Sequence, residues 1–194
     1  MANVGYKSPS ATGETHNTWT NPSYAYSSND QRAEFSTLTT QAQDYYNFTF
    51  GVPSGATIDG IIVSFEGSNS SGNSNWRSIN VELSYDGGSH YTSAKTLVQQ
   101  TTENTVTTGG ATDTWGRTWS DTEFANTEFR LKAYNTFTGL STQTLVDHIQ
   151  VDVYYTEAVS GPANLKTYNT NAKANIKTIN TNPIANVKTL NTNA

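Results

Sequence analysis

Five stretches of this chain alternate apolar and polar residues with a period of two, and that alternation limits its fold more than any other feature. "DYYNFTF" sets Tyr46, Phe48 and Phe50 on one side. "IIVSFEG" does the same with Ile61, Val63 and Phe65, and "INVELSY" with Ile79, Val81, Leu83 and Tyr85. "EFRLKAY" follows with Phe129, Leu131 and Ala133, then "HIQVDVYY" with Ile149, Val151, Val153 and Tyr155. Each reads as a strand with one buried and one solvated face, as antiparallel sheets require. Thr (32) and Asn (21) exceed a quarter of the 194 residues, which suits pleated surfaces and tight corners better than helices. Turn signals separate the strands: Pro53, Gly55 and Gly60 in "VPSGATIDG", and Asp86-Gly87-Gly88 in "YDGGSHY". "EGSNSSGNSN" reads as a flexible loop. The expected fold is all-β, a jelly-roll-like antiparallel β-sandwich over residues 1–157.

Past a linker at 158–162, the chain turns into an eleven-residue repeat that fills residues 163–194. Each copy opens Ala-Asn-(Leu/Ile/Val)-Lys-Thr and runs on to Asn-Thr-Asn. An eleven-residue period could wind as a right-handed helical supercoil. Propensity opposes that, since the Asn and Thr of one repeat cost roughly 3 kcal/mol relative to Ala and Pro183 adds about as much again. Short strands ended by Asn-Thr-Asn turns fit better. Three such units bury too little apolar surface to stand alone, so other chains are expected to complete them. Leu165, Tyr168, Ile176, Ile179, Val187 and Leu190 are the expected assembly contacts, in a trimeric intertwined stem or as strands donated to a neighbouring sheet, a disordered linker being the alternative.

Charge divides in the same place. Residues 1–160 hold seven basic and sixteen acidic side chains, whereas the tail holds Lys166, Lys173, Lys177 and Lys188 and no acid. Four lysines spread so thinly make a poor nucleic-acid footprint; attraction to the acidic body of a neighbouring copy is the better expectation. The chain has no cysteine, no run of 18 apolar residues and no signal-peptide pattern at its start, so neither disulfides nor a membrane is expected.

Catalytic equipment is not legible. His16, His90 and His148 lack metal-ligand spacing, and no nucleophile-elbow or nucleotide-binding motif occurs, so no enzyme activity is expected. "TDTWGRTWSDTEF" carries the most chemistry: Trp115, Arg117 and Trp119 alternate, and in an extended segment they would form a platform for a sugar ring or a protein. The competing expectation is that the indoles brace the end of the core. Trp19 and Trp76 are weaker candidates for a platform. Asp113, Asp121 and Glu123 could supply oxygens to a calcium ion that stiffens a loop; no other cofactor is expected.

The succession "FTFGVPSGATIDGIIVSFEG", "VELSYDGGSHYTSAKT", "TDTWGRTWSDTEF" and "VDHIQVDVYYT" resembles a β-sandwich module found in phage virion proteins and in bacterial proteins of unknown function. The tail is similar to Ala-Asn-Val-Lys-Thr repeats that end some phage proteins. The resemblance implies a structural or surface role and brings no catalytic residues. The function expected from it is a non-enzymatic virion protein (head fibre, capsid decoration or tail appendage) made in the host cytoplasm, self-assembling through its repeats and contacting other virion proteins. A carbohydrate-binding adhesin module using Trp115 and Trp119, and an extracellular filament subunit joined by strand exchange, are the alternatives.

Overall fold

The computed structural model describes residues 1–36, 39–71, 78–135 and 143–158. The linker from 159 on, the assembly residues Leu165, Tyr168, Ile176, Ile179, Val187 and Leu190, and Trp76 lie outside the described residues. Residues Met1–Ala158 form one compact unit. Its strands are β1 (Ala2–Asn3), β2 (Ala11–Asn17), β3 (Ala33–Ser36), β4 (Ala42–Tyr46) and β5 (Thr57–Asn69), then β6 (Ser78–Ser84), β7 (Lys95–Val98), β8 (Asn104–Gly110), β9 (Arg130–Asn135) and β10 (Gln143–Thr156). Single 3₁₀ turns stand at Pro22–Ala25 and Asp121–Phe124. No helix among the described residues is long and apolar enough to cross a membrane.

Two antiparallel sheets enclose the core, as the alternation requires. One runs β1-β10-β5-β8, with β3 also paired to β10; the other runs β2-β4-β9-β6-β7. Ile61, Val63 and Phe65 of β5 and Ile149, Val151 and Val153 of β10 are fully buried, and Ile79, Val81, Leu83, Leu131 and Ala133 meet them from the other sheet. Long β10 changes which parity faces the core. Val146 and Ile149 both point inward because the register slips between Val146 and His148, where Asp147 is the extra residue of a bulge.

Two local expectations are corrected. Tyr45, not Tyr46, faces the core, and β4 ends at Tyr46. Asn47 (φ 63°) and Thr49 (φ 53°) then take left-handed conformations, so Phe48 and Phe50 enter the core from an irregular segment rather than a strand. The loop expected in "EGSNSSGNSN" begins later than its composition suggests, because Glu66–Asn69 continue β5 against β8 and β10. Gly67 is required there: a Cβ would stand 2.1 Å from the Leu145 carbonyl oxygen across the strand pair. Gly67→Ala is therefore expected to cost several kcal/mol, about 3, in a urea titration, through forced separation of β5 from β10.

His148 sets a pH dependence. It projects from β10, its Nε2 lies 2.8 Å from Ser8 Oγ, and burial holds its pKa below the usual 6.5 against the opposing pull of Glu66 and Asp147. A depressed folded pKa means the unfolded chain binds the proton first, so the contribution is present above 6.5 and lost as pH falls below it. Urea titrations at pH 7.5 and 5 should show the folded state weaker at the lower pH, and His148→Gln should shrink that difference.

Candidate functional site

The stretch around Trp115 is a brace. Trp115 adopts φ 56° and Gly116 φ 76°, so the segment turns where an alternating platform would need extension. Both indoles are buried, with Trp115 3% and Trp119 4% exposed. Trp115 Nε1 donates to the Ile61 carbonyl at 3.0 Å and Trp119 Nε1 to that of Thr114 at 2.8 Å. Arg117 lies over the rings of Tyr85 (3.6 Å) and Trp119 (4.4 Å) and forks onto Glu123 at 2.7 and 3.0 Å. Neither indole face is open to a ligand, which corrects the platform expected of Trp115, Arg117 and Trp119. Trp19 is likewise buried, stacked on Phe35 at 4.5 Å.

The three acids of that stretch do not converge on an ion either. Asp113 pairs with Lys95 at 2.8 Å and caps the Trp115 amide, Asp121 accepts from the Gly55 amide, and Glu123 closes a capping box with Ser120 while holding Arg117. Carboxylates do gather elsewhere: oxygens of Asp30, Glu103 and Asp147 lie within 4.8 Å of one another. Arg32 supplies the positive charge there, with Nη2 2.6 Å from Glu103 and Nη1 3.1 Å from Asp147. That Nη1 faces Asp147 as an ion pair without an aligned hydrogen bond.

The richest chemistry lies on the outer face of the β2-β4-β9-β6-β7 sheet, on residues that alternate with the core positions. Register places Tyr46 beside Arg130, Asp44 beside Lys132 and Ala42 beside Tyr134. On the other side of β9, Ser84, Glu82 and Asn80 flank the same three residues. Tyr91, bridged to Ser84, adds a third phenol. Cations lie against the rings: Arg130 4.0 Å from the centre of Tyr46, and Lys132 4.6 and 4.9 Å from those of Tyr91 and Tyr134. Such contacts flatten the long cationic side chains onto the sheet and keep the rings in place.

Every charge on this face has an opposite. Lys132 pairs with Glu82, Arg130 with Glu14, and His16 Nδ1 stands 3.0 Å from Asp44. Asp44 is fully buried, and burial raises its pKa while His16 and the Tyr91 hydroxyl pull it back. Tyr134 donates to Glu82 at 2.8 Å, and burial with the Glu82 charge pushes its pKa up to about 12. Burial and Asp44 raise Tyr91 in the same direction. Both phenols thus stay protonated donors at neutral pH. The face combines half-buried aromatic rings with fixed donors and acceptors. Arg130, Lys132 and Tyr134 read in the sequence as the plain polar side of their strand, and Tyr46 as a core position; the signal is Tyr alternating with Arg and Lys in "FRLKAY".

No family model and no curated protein matches the chain. Among solved structures it is similar to a fucose-binding module of Streptococcus pneumoniae (11% identity, TM-score 0.40, covering 77% of this chain and 94% of that one). A xylan-binding module is similar at 12% identity and TM-score 0.36, covering 79% and 93%. A family 11 carbohydrate-binding module of Clostridium thermocellum is similar at 11% identity and TM-score 0.34, covering 78% and 89%. At this level of likeness no residue of theirs maps onto a residue of this chain.

Proposed function

We propose that the sandwich is a non-catalytic carbohydrate-binding module whose ligand lies across the outer face of the β2-β4-β9-β6-β7 sheet. One observation carries this: Tyr46, Tyr91 and Tyr134 are partly exposed on one face and interleaved with the partly exposed Lys132 and Glu82, with Arg130 and Asp44 buried beneath them. A sugar ring offers C–H groups on its faces and hydroxyls, each donor and acceptor, around its rim. Flat rings suit the first, and paired charges with unused lone pairs suit the second. Along β9, Arg130 to Tyr134 spans about 13 Å at roughly 3.3 Å per residue, longer than one sugar. A short oligosaccharide therefore fits better than a monosaccharide.

Glycan-array binding of the full chain tests this. Tyr134→Ala and Lys132→Met are each expected to weaken a bound glycan about tenfold, with the circular dichroism spectrum unchanged. A folded chain that binds no glycan, or variants that bind as the parent does, would refute the site.

A second reading concerns the C-terminal repeats and rests on the return of Leu165, Ile176 and Val187 at one place in each copy. We infer that these repeats assemble or attach the protein, as a virion component would require, and so present the module in several copies. Avidity then raises weak glycan affinity without new contacts. Truncation after Glu157 should turn an oligomer into a folded monomer by light scattering; an unchanged oligomer would overturn the assembly role.

A further inference from the structure

Three carboxylates in the described residues are almost wholly buried: Asp44 (0% exposed), Asp147 (1%) and Asp152 (2%). Asp44 has His16 and Asp147 has Arg32 within ion-pair distance. Asp152 has no cation within ion-pair distance among the described residues. Its Oδ2 accepts from Asn3 Nδ2 at 2.7 Å, and its buried Oδ1 has no hydrogen-bond partner among the described residues. A carboxylate so enclosed is costly unless something compensates its charge.

The N-terminal segment shows what surrounds it. Ala2 faces Tyr155 and Asn3 faces Tyr154 on β10, but Lys7 faces Val151, one residue out of step. The extra residue falls at Gly5, whose φ of 70° is left-handed. Backbone bonds on both sides of the slip, Val4 N to Val153 O at 3.1 Å and Lys7 N to Val151 O at 2.8 Å, keep the segment against β10. The slip sets Tyr6 opposite Asp152 rather than Val151, which turns its ring from the core side to the outer side. Tyr6 is 46% exposed. Its phenol is raised by burial and then by the neighbouring Asp152 and Tyr154, which agrees with that placement. Asn3, Tyr6, Asp152 and Tyr154 therefore share one patch at the edge of the β1-β10-β5-β8 sheet, on a different sheet from the face described above.

We propose that this patch binds a protonated primary amine, with Asp152 Oδ1 as its counter-ion and Tyr6 and Tyr154 as the rings beside it. An ammonium group supplies the two things missing, a donor and a positive charge, and aromatic faces favour cations over neutral groups. Asp152 is 2% exposed, so a neighbouring side chain, in this proposal the exposed Tyr6, must turn aside to admit the ligand. Rotamer changes of an exposed side chain take ps to ns, so this is no obstacle. The amine can reside on an amino sugar or on a free polyamine, and two probes separate these sources.

The test is nuclear magnetic resonance titration of the full chain with a deacetylated glucosamine oligomer, with its N-acetylated counterpart, and with putrescine. The deacetylated oligomer should shift the Tyr6, Asp152 and Tyr154 amides, and the acetylated one should not. Putrescine binding as well as the oligomer does marks the ammonium alone as the ligand; weaker binding shows that the sugar ring adds contacts on Tyr6. Asp152→Asn should weaken the oligomer at least about tenfold, the loss of one charge-assisted hydrogen bond, with an unfolding midpoint no lower than the parent's. No shifts at this patch, equal binding of the acetylated oligomer, or an Asp152→Asn variant that binds as before would each overturn it. Tyr134→Ala and Lys132→Met should leave amine binding intact, so failure here and failure of the glycan face are told apart.

Discussion

Phe129→Ala should lower the stability of the sandwich by about 3–5 kcal/mol, as large-to-small changes at a buried aromatic do. In a chain of this size that is a fall of about 10 °C or more in Tm. Phe129 is 1% exposed and stands where four rings meet: Phe48 at 5.6 Å, Phe50 at 4.9 Å, Phe124 at 5.6 Å and Trp119 at 6.1 Å. These rings arrive from two segments with little regular structure of their own, residues 47–50 and 119–124. Phe48 and Phe50 follow left-handed residues, Trp119 leads into the Asp121–Phe124 turn, and Phe124 lies within it. Strand ladders cannot hold those segments, so the aromatic cluster must. Removing its central ring should therefore act in two ways. Thermal unfolding reports the global loss, and amide hydrogen exchange should rise first across residues 47–50. Phe129→Leu retains most of the volume and is expected to cost under about 1.5 kcal/mol. An alanine variant within about 1 kcal/mol of the parent would show that the cluster fills space without fastening these segments.

What could be read beforehand follows from which signals are periodic. Ile61, Val63 and Phe65, or Ile149, Val151 and Val153, announce their strands because both faces of the pleat are written in side-chain type. β8, "NTVTTGG", has one apolar residue, Val106, and β1 is two residues long; neither carries a pattern to detect. Their pairing comes from the neighbour strand. The bulge at Asp147 and the slip at Gly5 were invisible for another reason: one inserted residue changes parity without changing composition. Tyr46 was assigned to the wrong side for a related cause. The alternation of Tyr46, Phe48 and Phe50 is real in the sequence, but left-handed turns at Asn47 and Thr49 bring the two phenylalanines back to the core while Tyr46 stays outside.

The candidate face was hidden more deeply. Asp44, Tyr46, Arg130, Lys132, Tyr134 and Tyr91 come from three parts of the chain, and only strand order makes β4 and β6 the two neighbours of β9. By contrast "TDTWGRTW" drew attention because its aromatics are adjacent in sequence. Local density of tryptophan is evidence of ring packing as much as of binding, and burial decided for packing.

Arg32→Met should be the most damaging substitution among the charged residues, at about 3 kcal/mol or more, because it strands a carboxylate that cannot reach water. Asp147 is the extra residue of the β10 bulge, so the backbone fixes it in place, and its side chain is 2% exposed. Besides Arg32, among the described residues it accepts only long contacts from the amides of Asn29 (3.3 Å) and Asp30 (3.4 Å). Methionine keeps most of the aliphatic stem of Arg32, so the loss would report the charge rather than a cavity. The exposed Asp30 contact, 3.3 Å to a side chain 91% in solvent, adds little. The informative comparison is the double variant Arg32→Met with Asp147→Asn. If the pair serves mainly to cancel a buried charge, removing both charges should restore most of the stability lost with Arg32 alone, and chemical denaturation of the four proteins gives the coupling directly. Should the double variant be as unstable as Arg32→Met, Arg32 would be acting through Glu103, which it holds at 2.6 Å next to β8, and not through the bulge.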